Sequence, residues 1–305
     1  MWMDTWLRSQ SAMEYLTTYG WAILVIAVVI VVLFALGVFS SNTFTPKAGP
    51  GVCDVQRPLG PGTTRLISLQ GMCGGEQPQA VAVFTDTQGS ISVPASSLLN
   101  LKVPYTIAFW FNKKNYLSSC DSLIGKSSCS AMCIYTLTAS GCSAGSDQSE
   151  PLTFRYTDSL GGVHDGLTSG ISVPSSTWVF AAITIDNSGG TSGLIKWYIN
   201  GTETNHYTWT TSFALNTNSL TIGGGDHTFN GSMANVQLYN TALGANSIAE
   251  LYREGIGGAP VSLTNLLGWW PLNGNPVDYS GEGLNGTAAN TVSYVDNWQS
   301  GYSSP

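Results

Sequence analysis

The sequence has few charged side chains. Only 10% of its 305 residues are Asp, Glu, Lys or Arg, whereas about 25% is usual in soluble domains. The formal net charge is −7, and the 11 Lys and Arg residues form no cluster. Because binding to a phosphate backbone requires several cations close together, we expect no nucleic-acid partner. Gly, Ser, Thr and Asn replace the missing charges, which is typical of short strands joined by tight turns.

The sequence also lacks the motifs of common catalytic sites. Glycoside hydrolysis needs two carboxylates at a set separation, but no E-x-D-x-x-E arrangement occurs. Glu250 and Glu254 are close together on a predicted helix, where we expect a solvated face. There is no Ser-His-Asp signature, and the glycines at 223–225 are expected to form a turn between strands. We therefore predict that the protein is not an enzyme and has no certain cofactor.

No C-x-x-C pair is present among the six cysteines. Zinc is the alternative to disulfides, since closely spaced cysteines also bind this metal, but the three histidines are distant in sequence. An even number of cysteines beyond a hydrophobic segment favours disulfides formed outside the cell. We predict a Cys53–Cys73 bridge and local pairing of the other four. The six are Cys53, Cys73, Cys120, Cys129, Cys133 and Cys142.

One hydrophobic run stands near the N-terminus. Residues 21–39, WAILVIAVVIVVLFALGVF, contain neither a charge nor a proline, and no charged residue occurs between Glu14 and Lys47. Such a helix nearly spans a hydrocarbon core of about 30 Å. A plain membrane anchor and a cleaved secretory signal, with a small-residue site at 35–37, are two interpretations of this segment.

A third interpretation uses the polar residues before the run. Residues 8–15, RSQSAMEY, followed by the apolar run, resemble the class III signal peptide of archaeal type IV pilin-like proteins. The resemblance implies a leader over residues 1–9, cleaved between Ser9 and Gln10, and a transmembrane and assembly helix over residues 10–39. It places the protein in the archaeal cell membrane and at the extracellular surface, in a filament built with copies of itself or other pilins.

The same resemblance gives Glu14 a role in assembly. Glu14 would be the fifth residue of the mature chain, where it neutralises the new α-amine of a neighbouring subunit. An intramembrane carboxylate is a functional candidate because it is costly without a partner. A single ion pair in a low-dielectric setting also favours one stagger of the helices over others. The sequence departs from the family at Ala12, where serine is frequent, and the leader carries only one cation, Arg8.

The remainder of the chain reads as a linker, a collar and a β domain. Residues 40–52 are rich in Pro, Gly and polar residues, as linkers are, and residues 53–78 are expected to form a Cys-bridged collar. From residue 79 onward, short runs rich in β-branched and aromatic residues are bounded by turn residues, which indicates a sandwich. The runs include AVAVFT, YTIAFWFN, TWVFAAITID, GLIKWYIN and SMANVQLYN.

The order of these runs resembles a laminin-G-like, concanavalin A-like lectin/glucanase domain over residues 79–260. Asn200-Gly201 is a strong type I′ hairpin signal, and residues 245–254, ANSIAELYRE, are expected to form a closing helix. The predicted fold is therefore an N-terminal hydrophobic α-helix followed by an all-β jelly-roll sandwich.

Residues 267–281 resemble the opening of many such domains but follow the rest of the domain here. We predict that residues 261–305 complete the sandwich, as in a circular permutation. A truncated second copy and donation of strands to the next subunit are the alternatives. A segment this short cannot bury a core of its own.

The resemblance also implies candidate binding residues. Laminin-G-like domains often bind Ca²⁺ at the rim, through the oxygen ligands that this ion prefers; Asp86, Asp226 and Asp278 are the candidates, although each could simply form a turn. For sugar binding, Tyr207 and Trp209 are expected in an exposed hairpin. The remaining tryptophans of the strands are expected in the core: Trp110, Trp178 and Trp197.

Three N-x-S/T sequons, at Asn200, Asn230 and Asn285, fall at predicted turns and are candidate glycosylation sites. Asn-Gly is also a good turn in its own right. Taken together, these features predict a pilin-like surface subunit that displays a domain for adhesion to a glycan or surface-protein ligand. The alternative is a monomeric, membrane-anchored surface lectin that does not polymerise.

Overall fold

A computed structural model describes most of the chain beyond residue 77 and three shorter stretches before it. The chain divides into two compact units, Met1–Ala48 and Gly49–Pro305. The described residues are 19–32, 54–56, 68–70, 78–85, 89–114, 121–126, 129–136, 150–187, 192–224, 227, 229–289 and 291–305.

The first unit contains helix α1, described over residues 19–32. Its side chains are apolar and exposed, as at Trp21 and Ile23. Within the described part of the chain, no helix has both the length and the apolar character needed to cross a membrane. The predicted cleavage position between Ser9 and Gln10, and Glu14, lie outside the described residues.

The second unit begins with a small antiparallel pair, β1 (Asp54–Gln56) and β2 (Ser68–Gln70). The pair lies within the predicted collar, but Cys53 and Cys73 fall outside the described residues. The later strands form two antiparallel sheets. Their bounds are β3 Val81–Phe84, β4 Ile91–Val93, β5 Tyr105–Lys113, β6 Ser122–Lys126, β7 Met132–Thr136, β8 Glu150–Thr157, β9 Val163–Val173, β10 Val179–Ile185, β11 Gly193–Ile199, β12 Thr202–Trp209, β13 Leu220–Ile222, β14 Gly231–Tyr239, β15 Leu266–Trp270, β16 Thr287–Ala288 and β17 Ser293–Val295.

The two sheets face each other across one core. The first sheet has the order β12-β11-β10-β5-β14-β3-β17, with β15 also paired to β14, and the second has the order β16-β4-β13-β6-β7-β8-β9. Large side chains from both sheets fill the space between them, among them Phe109, Phe154, Trp197 and Trp270. The prediction of an all-β sandwich is confirmed.

The central strands of the first sheet are buried on both faces. Every residue of β10, VFAAITI, is buried, and so are all but one of the nine residues of β5. One set of alternate side chains points into the core between the sheets. The other set, which includes Trp110 and Phe180, belongs to a second hydrophobic cluster on the outer face of the sheet. This double burial explains why these strands read as continuous hydrophobic runs.

Helix α2 (Ala245–Arg253) covers part of that outer face, where we predicted the closing helix. Ile248 and Leu251 are its buried side chains. The prediction of a solvated acid pair is wrong for Glu254, which follows the helix and is buried. Burial, and secondarily the like charge of Glu250, raise the pKa of the Glu254 carboxyl.

The end of the chain covers a further part of the outer face. The Trp298 ring packs edge-to-face against Trp178 at 5.7 Å between centroids, and its Nε1 donates a hydrogen bond to Pro78 O (2.9 Å). Trp178 Nε1 in turn donates to Trp298 O (3.0 Å). Tyr302 packs edge-to-face against Trp110 at 5.7 Å.

The C-terminal strands pair with both sheets. β15 pairs with β14, β16 with β4, and β17 with β3, all antiparallel. β16 and β17 therefore form the two neighbouring edges on one side of the sandwich.

A disulfide joins Cys129 and Cys133 beside the turn between β6 and β7. It confirms a local disulfide among the predicted cysteines. Cys120 and Cys142 fall outside the described residues.

Candidate functional site

A cavity of about 530 Å³ opens at the end of the sandwich where β5 begins. This volume is within the range of about 300–1,000 Å³ that is usual for small-ligand sites. Three separate parts of the chain form its walls: the segment before β5, the residue after β14, and β15. The lining residues are Ser97, Leu98, Asn100, Leu101, Lys102, Val103, Pro104, Tyr105, Asn240 and Leu267.

The first wall is built by a short 3-10 helix, Ser97–Leu99. Ser96 caps this helix, because its Oγ accepts a hydrogen bond from Leu98 N (3.2 Å). The backbone N–H of Asn100 closes the turn by donating to Ser97 O (3.2 Å). Buried Leu99 anchors the helix to the core, so that the adjacent Asn100 lines the cavity.

Hydrogen bonds between distant segments hold the second wall in place. Asn240 N donates to Asn265 O (2.9 Å), which ties the end of β14 to the residue before β15. Thr106 Oγ1 donates to Thr241 O (2.7 Å) and accepts from Leu243 N (2.9 Å). These contacts fix Asn240 beside the start of β5.

The cavity combines one polar group that lacks a partner with aliphatic walls. The Oδ1 atom of Asn100 is buried and accepts no hydrogen bond. A buried polar group without a partner is unusual in a native protein, and Asn100 is one of the residues that line the cavity. Leu98, Val103 and Leu267 provide apolar surface around it.

Tyr105 lines the inner end of the cavity. Its side chain is almost completely buried, and its ring contacts Phe213 edge-to-face at 6.1 Å. Burial, and secondarily the neighbouring Tyr156, raise the pKa of the Tyr105 hydroxyl. The phenol is therefore neutral at all physiological pH values.

Asp278, a candidate Ca²⁺ ligand, organises a loop. Its Oδ1 accepts hydrogen bonds from Trp269 N and Ser280 N (both 2.9 Å). Its Oδ2 accepts from Ser280 Oγ and Leu284 N (both 2.8 Å). A carboxylate has about four lone-pair positions, so the protein itself occupies all of them.

Asp86 and Asp226, the other two Ca²⁺ candidates, lie outside the described residues. Among the residues that the structure describes, no group of three or more His, Cys, Asp or Glu is placed to hold a metal ion.

Trp209 is not a surface platform, so the expectation of an exposed aromatic pair is wrong. Its side chain is 1% exposed, and its Nε1 donates to Asp186 O (3.0 Å). Trp209 ends β12, where the strand turns toward the core and the ring packs against Phe213. Tyr207 is half-buried, and its hydroxyl forms a hydrogen bond with the backbone of β9.

The prediction that the other tryptophans of the strands lie in the core is confirmed, since all three are buried: Trp110, Trp178 and Trp197.

A family model described as the concanavalin A-like lectin/glucanases superfamily matches residues 85–249, which is more than half of the sequence. The chain belongs to this superfamily. Among curated proteins, none matches the chain at a significant level.

Solved structures share the fold of the superfamily. A Bacteroides ovatus protein, provisionally named as carbohydrate-binding, is 18% identical to this chain, with a TM-score of 0.55. The match covers 76% of this chain and 66% of the Bacteroides ovatus protein, so the chain spans just under two thirds of that protein. Domain 4 of an extracellular arabinanase from Geobacillus stearothermophilus, in complex with arabinotriose, is 20% identical with a TM-score of 0.40. That match covers 55% of this chain and 80% of the other. At 18% identity, the similarity to the Bacteroides ovatus protein shows the fold alone.

The sequons of this superfamily member differ in exposure. Asn200 and Asn285 are exposed, whereas Asn230 is 3% exposed. The Oδ1 atom of Asn200 accepts a hydrogen bond from Phe180 N (3.0 Å). The Oδ1 atom of Asn285 accepts a hydrogen bond from Asp278 N (3.0 Å). A glycan on the folded domain would fit at the two exposed positions and not at Asn230.

Sequence reasoning did not find the cavity. Its lining includes no acid, no histidine and no exposed aromatic residue, which are the usual marks of a site. Ser96 is of a residue type that often caps helices, but such a residue predicts only a helix start and not a cavity. The cavity arises because Asn100, Asn240 and Leu267, far apart in sequence, meet where β5, β14 and β15 lie side by side.

Proposed function

We propose that the protein is a cell-surface subunit that recognises glycans, and that the cavity before β5 is its ligand site. The observation that carries the proposal is the buried, unpartnered Oδ1 of Asn100 beside this cavity. A sugar hydroxyl would donate to this oxygen, and a second hydroxyl could accept from the amide nitrogen of the same side chain. Aliphatic walls would contact the C–H surface of the sugar ring.

The superfamily supports this proposal. The name given to the Bacteroides ovatus protein, the structural neighbour with the higher TM-score, points to carbohydrate binding. The lining residues include no Asp or Glu, and glycoside hydrolysis ordinarily needs two such groups. We therefore propose recognition without catalysis.

For surface display, we propose that the apolar N-terminal segment is a pilin-like assembly helix, cleaved between Ser9 and Gln10, with Glu14 pairing with a neighbouring subunit. The apolar run at 21–39 supports export or anchoring. N-terminal sequencing of protein sheared from cells tests this role. Gln10 as the first residue is expected; an intact Met1 on protein found only in membranes would favour the monomeric, membrane-anchored lectin.

A glycan array probed with the full-length chain in detergent tests recognition. We expect binding to a defined set of glycans, and about a fivefold loss of affinity in Asn100→Ala, since one hydrogen bond contributes about 1 kcal/mol. Asn246→Ala is the matched control, because Asn246 is exposed on α2 and is not one of the residues that line the cavity. Unchanged affinity in Asn100→Ala would place the ligand elsewhere, and failure to bind any glycan would refute the function.

A further inference from the structure

Lys102 is the one charged residue among those that line the cavity. The protein as a whole carries a formal charge of −7. The mouth of the cavity is therefore a local positive position on an otherwise acidic protein. Opposite charges attract most effectively where no competing charge of the other sign is close.

Lys102 also has no counter-ion among the described residues. Two other lysines of the domain do: Lys196 Nζ lies 3.1 Å from Glu203 Oε2, and Lys113 Nζ lies 3.9 Å from Glu150 Oε2. Lys102 is exposed and follows Asn100 by two residues on the same wall. Its ammonium group is consequently free to bind a ligand that also reaches Asn100.

We propose that the cavity selects acidic sugars, with Lys102 binding the sugar carboxylate and Asn100 binding a hydroxyl of the same residue. The proposal rests on the proposed glycan recognition and adds the class of ligand. Hydrogen bonds between an ammonium and a carboxylate are stronger than those between neutral groups. A neutral sugar would leave Lys102 without a partner and would gain only the contacts to Asn100 and the aliphatic walls.

Two oligosaccharides that differ only in their terminal residue test this selectivity. One ends in glucuronic acid and the other in glucose, so that a carboxylate replaces a CH₂OH group. We expect the full-length chain to bind the acidic probe roughly fivefold more tightly at low salt, the effect of one exposed ion pair. The preference should shrink as salt is added, because ions screen exposed charges. Isothermal titration calorimetry measures both affinities.

Three variants separate the contributions. Lys102→Gln should remove the preference and leave the affinity for the neutral probe within about twofold, whereas Asn100→Ala should weaken binding of both probes. Lys114→Gln is the matched control, since this exposed lysine follows β5 at the end away from the cavity. It should bind like the wild type.

The outcomes distinguish this inference from the proposed function. Equal affinity for the two probes at low salt would overturn the selection of acidic sugars but leave glycan recognition intact. A preference that persists in Lys102→Gln would also overturn it, because another residue would then bind the carboxylate. If neither probe binds and no glycan on the array is bound, both proposals are overturned.

Discussion

The outer faces of the two sheets differ in what they carry. On the first sheet, Trp110 and Trp178 point outward and are buried beneath α2 and the end of the chain. On the second sheet, strand β8 alternates over its second half: Phe154 and Tyr156 lie in the core, while Arg155 and Thr157 are half-buried. The order of apolar and polar residues along each strand therefore indicates whether one or both of its faces are covered. Continuous apolar strands need a third layer, and alternating strands do not.

The largest effect is expected from removing the cover of the first sheet at Trp298. We predict that Trp298→Ala lowers the free energy of unfolding by about 3–5 kcal/mol, the usual cost of truncating a buried tryptophan. The ring contacts Trp178 and Tyr302, and its N–H bond to Pro78 O would also be lost. Urea denaturation measures the change. Leu160→Ala is the control, because Leu160 is 86% exposed. A loss below 1 kcal/mol would show that the end of the chain is not part of the cooperative fold.

A smaller loss is expected at the loop after β15. Asp278→Ala should cost about 2–4 kcal/mol, because the buried N–H groups of Trp269 and Leu284 lose their acceptor. Urea denaturation gives this value, and Glu282→Ala, at an exposed position in the same loop, serves as the control. If the two variants are equally stable, the four hydrogen bonds to Asp278 do not hold the loop.

Local sequence signals predicted local structure well. The helix at 245–254 is present as α2, and the Asn200-Gly201 hairpin joins β11 to β12 with φ of 48° and 77°, as a type I′ turn requires. The apolar runs of β5 and β10 also became strands. In each case, neighbouring residues alone determine the conformation.

Features assembled from distant segments were not predictable in the same way. Trp209 and Glu254 stand at the ends of regular elements, where burial depends on the segment that packs across them rather than on their own periodicity. Asn100 is unremarkable in sequence and becomes a candidate site residue only beside Asn240 and Leu267. The site thus depended on tertiary contacts that a single sequence does not report.

Both sheets contain a buried lysine, but the two lysines have different partners: Lys113 in β5 of the first sheet lies 3.9 Å from Glu150 Oε2, whereas Lys126 of the second sheet is bonded to a backbone carbonyl. Lys126 in β6 is buried, and its Nζ donates to Asn218 O (2.7 Å). Burial lowers the pKa of this amine to about 8, from 10.5. Between these pH values the unfolded chain binds the proton more strongly, so the free energy of unfolding should rise with pH.

Lys126→Met should abolish this rise, which we expect to be about 1–2 kcal/mol once solvent screening is allowed for. Urea denaturation at pH 7, 8.5 and 10 measures it. Lys196→Met is the control. The hydrogen bond to Glu203 raises the pKa of Lys196. The contribution of Lys196 to the free energy of unfolding is therefore constant between pH 7 and 10 and is lost only at higher pH. Parallel pH profiles for wild type and Lys126→Met would contradict the prediction.

The smallest effect concerns the edge where the two sheets meet. The Tyr207 hydroxyl of β12 accepts from Thr168 N (3.0 Å) and donates to Thr168 O (3.2 Å), in the edge strand β9. The Thr168 carbonyl also accepts a hydrogen bond from Asn205 Nδ2 (3.1 Å), so the phenol alone occupies only the Thr168 N–H. A free N–H in a long edge strand can pair with another chain. Tyr207→Phe should cost about 1 kcal/mol and promote self-association.

Sedimentation velocity over a range of concentrations measures this association. Thr208→Ala, at an exposed position in the same strand, is the matched control and should remain as the wild type. The two edges on the opposite side, β16 and β17, have only two and three residues and need no such protection, because short edge strands pair poorly. If Tyr207→Phe loses stability without self-association, the hydroxyl acts only within the domain. If the variant self-associates, Tyr207 of the first sheet prevents the edge strand β9 of the second sheet from pairing with another copy of the protein.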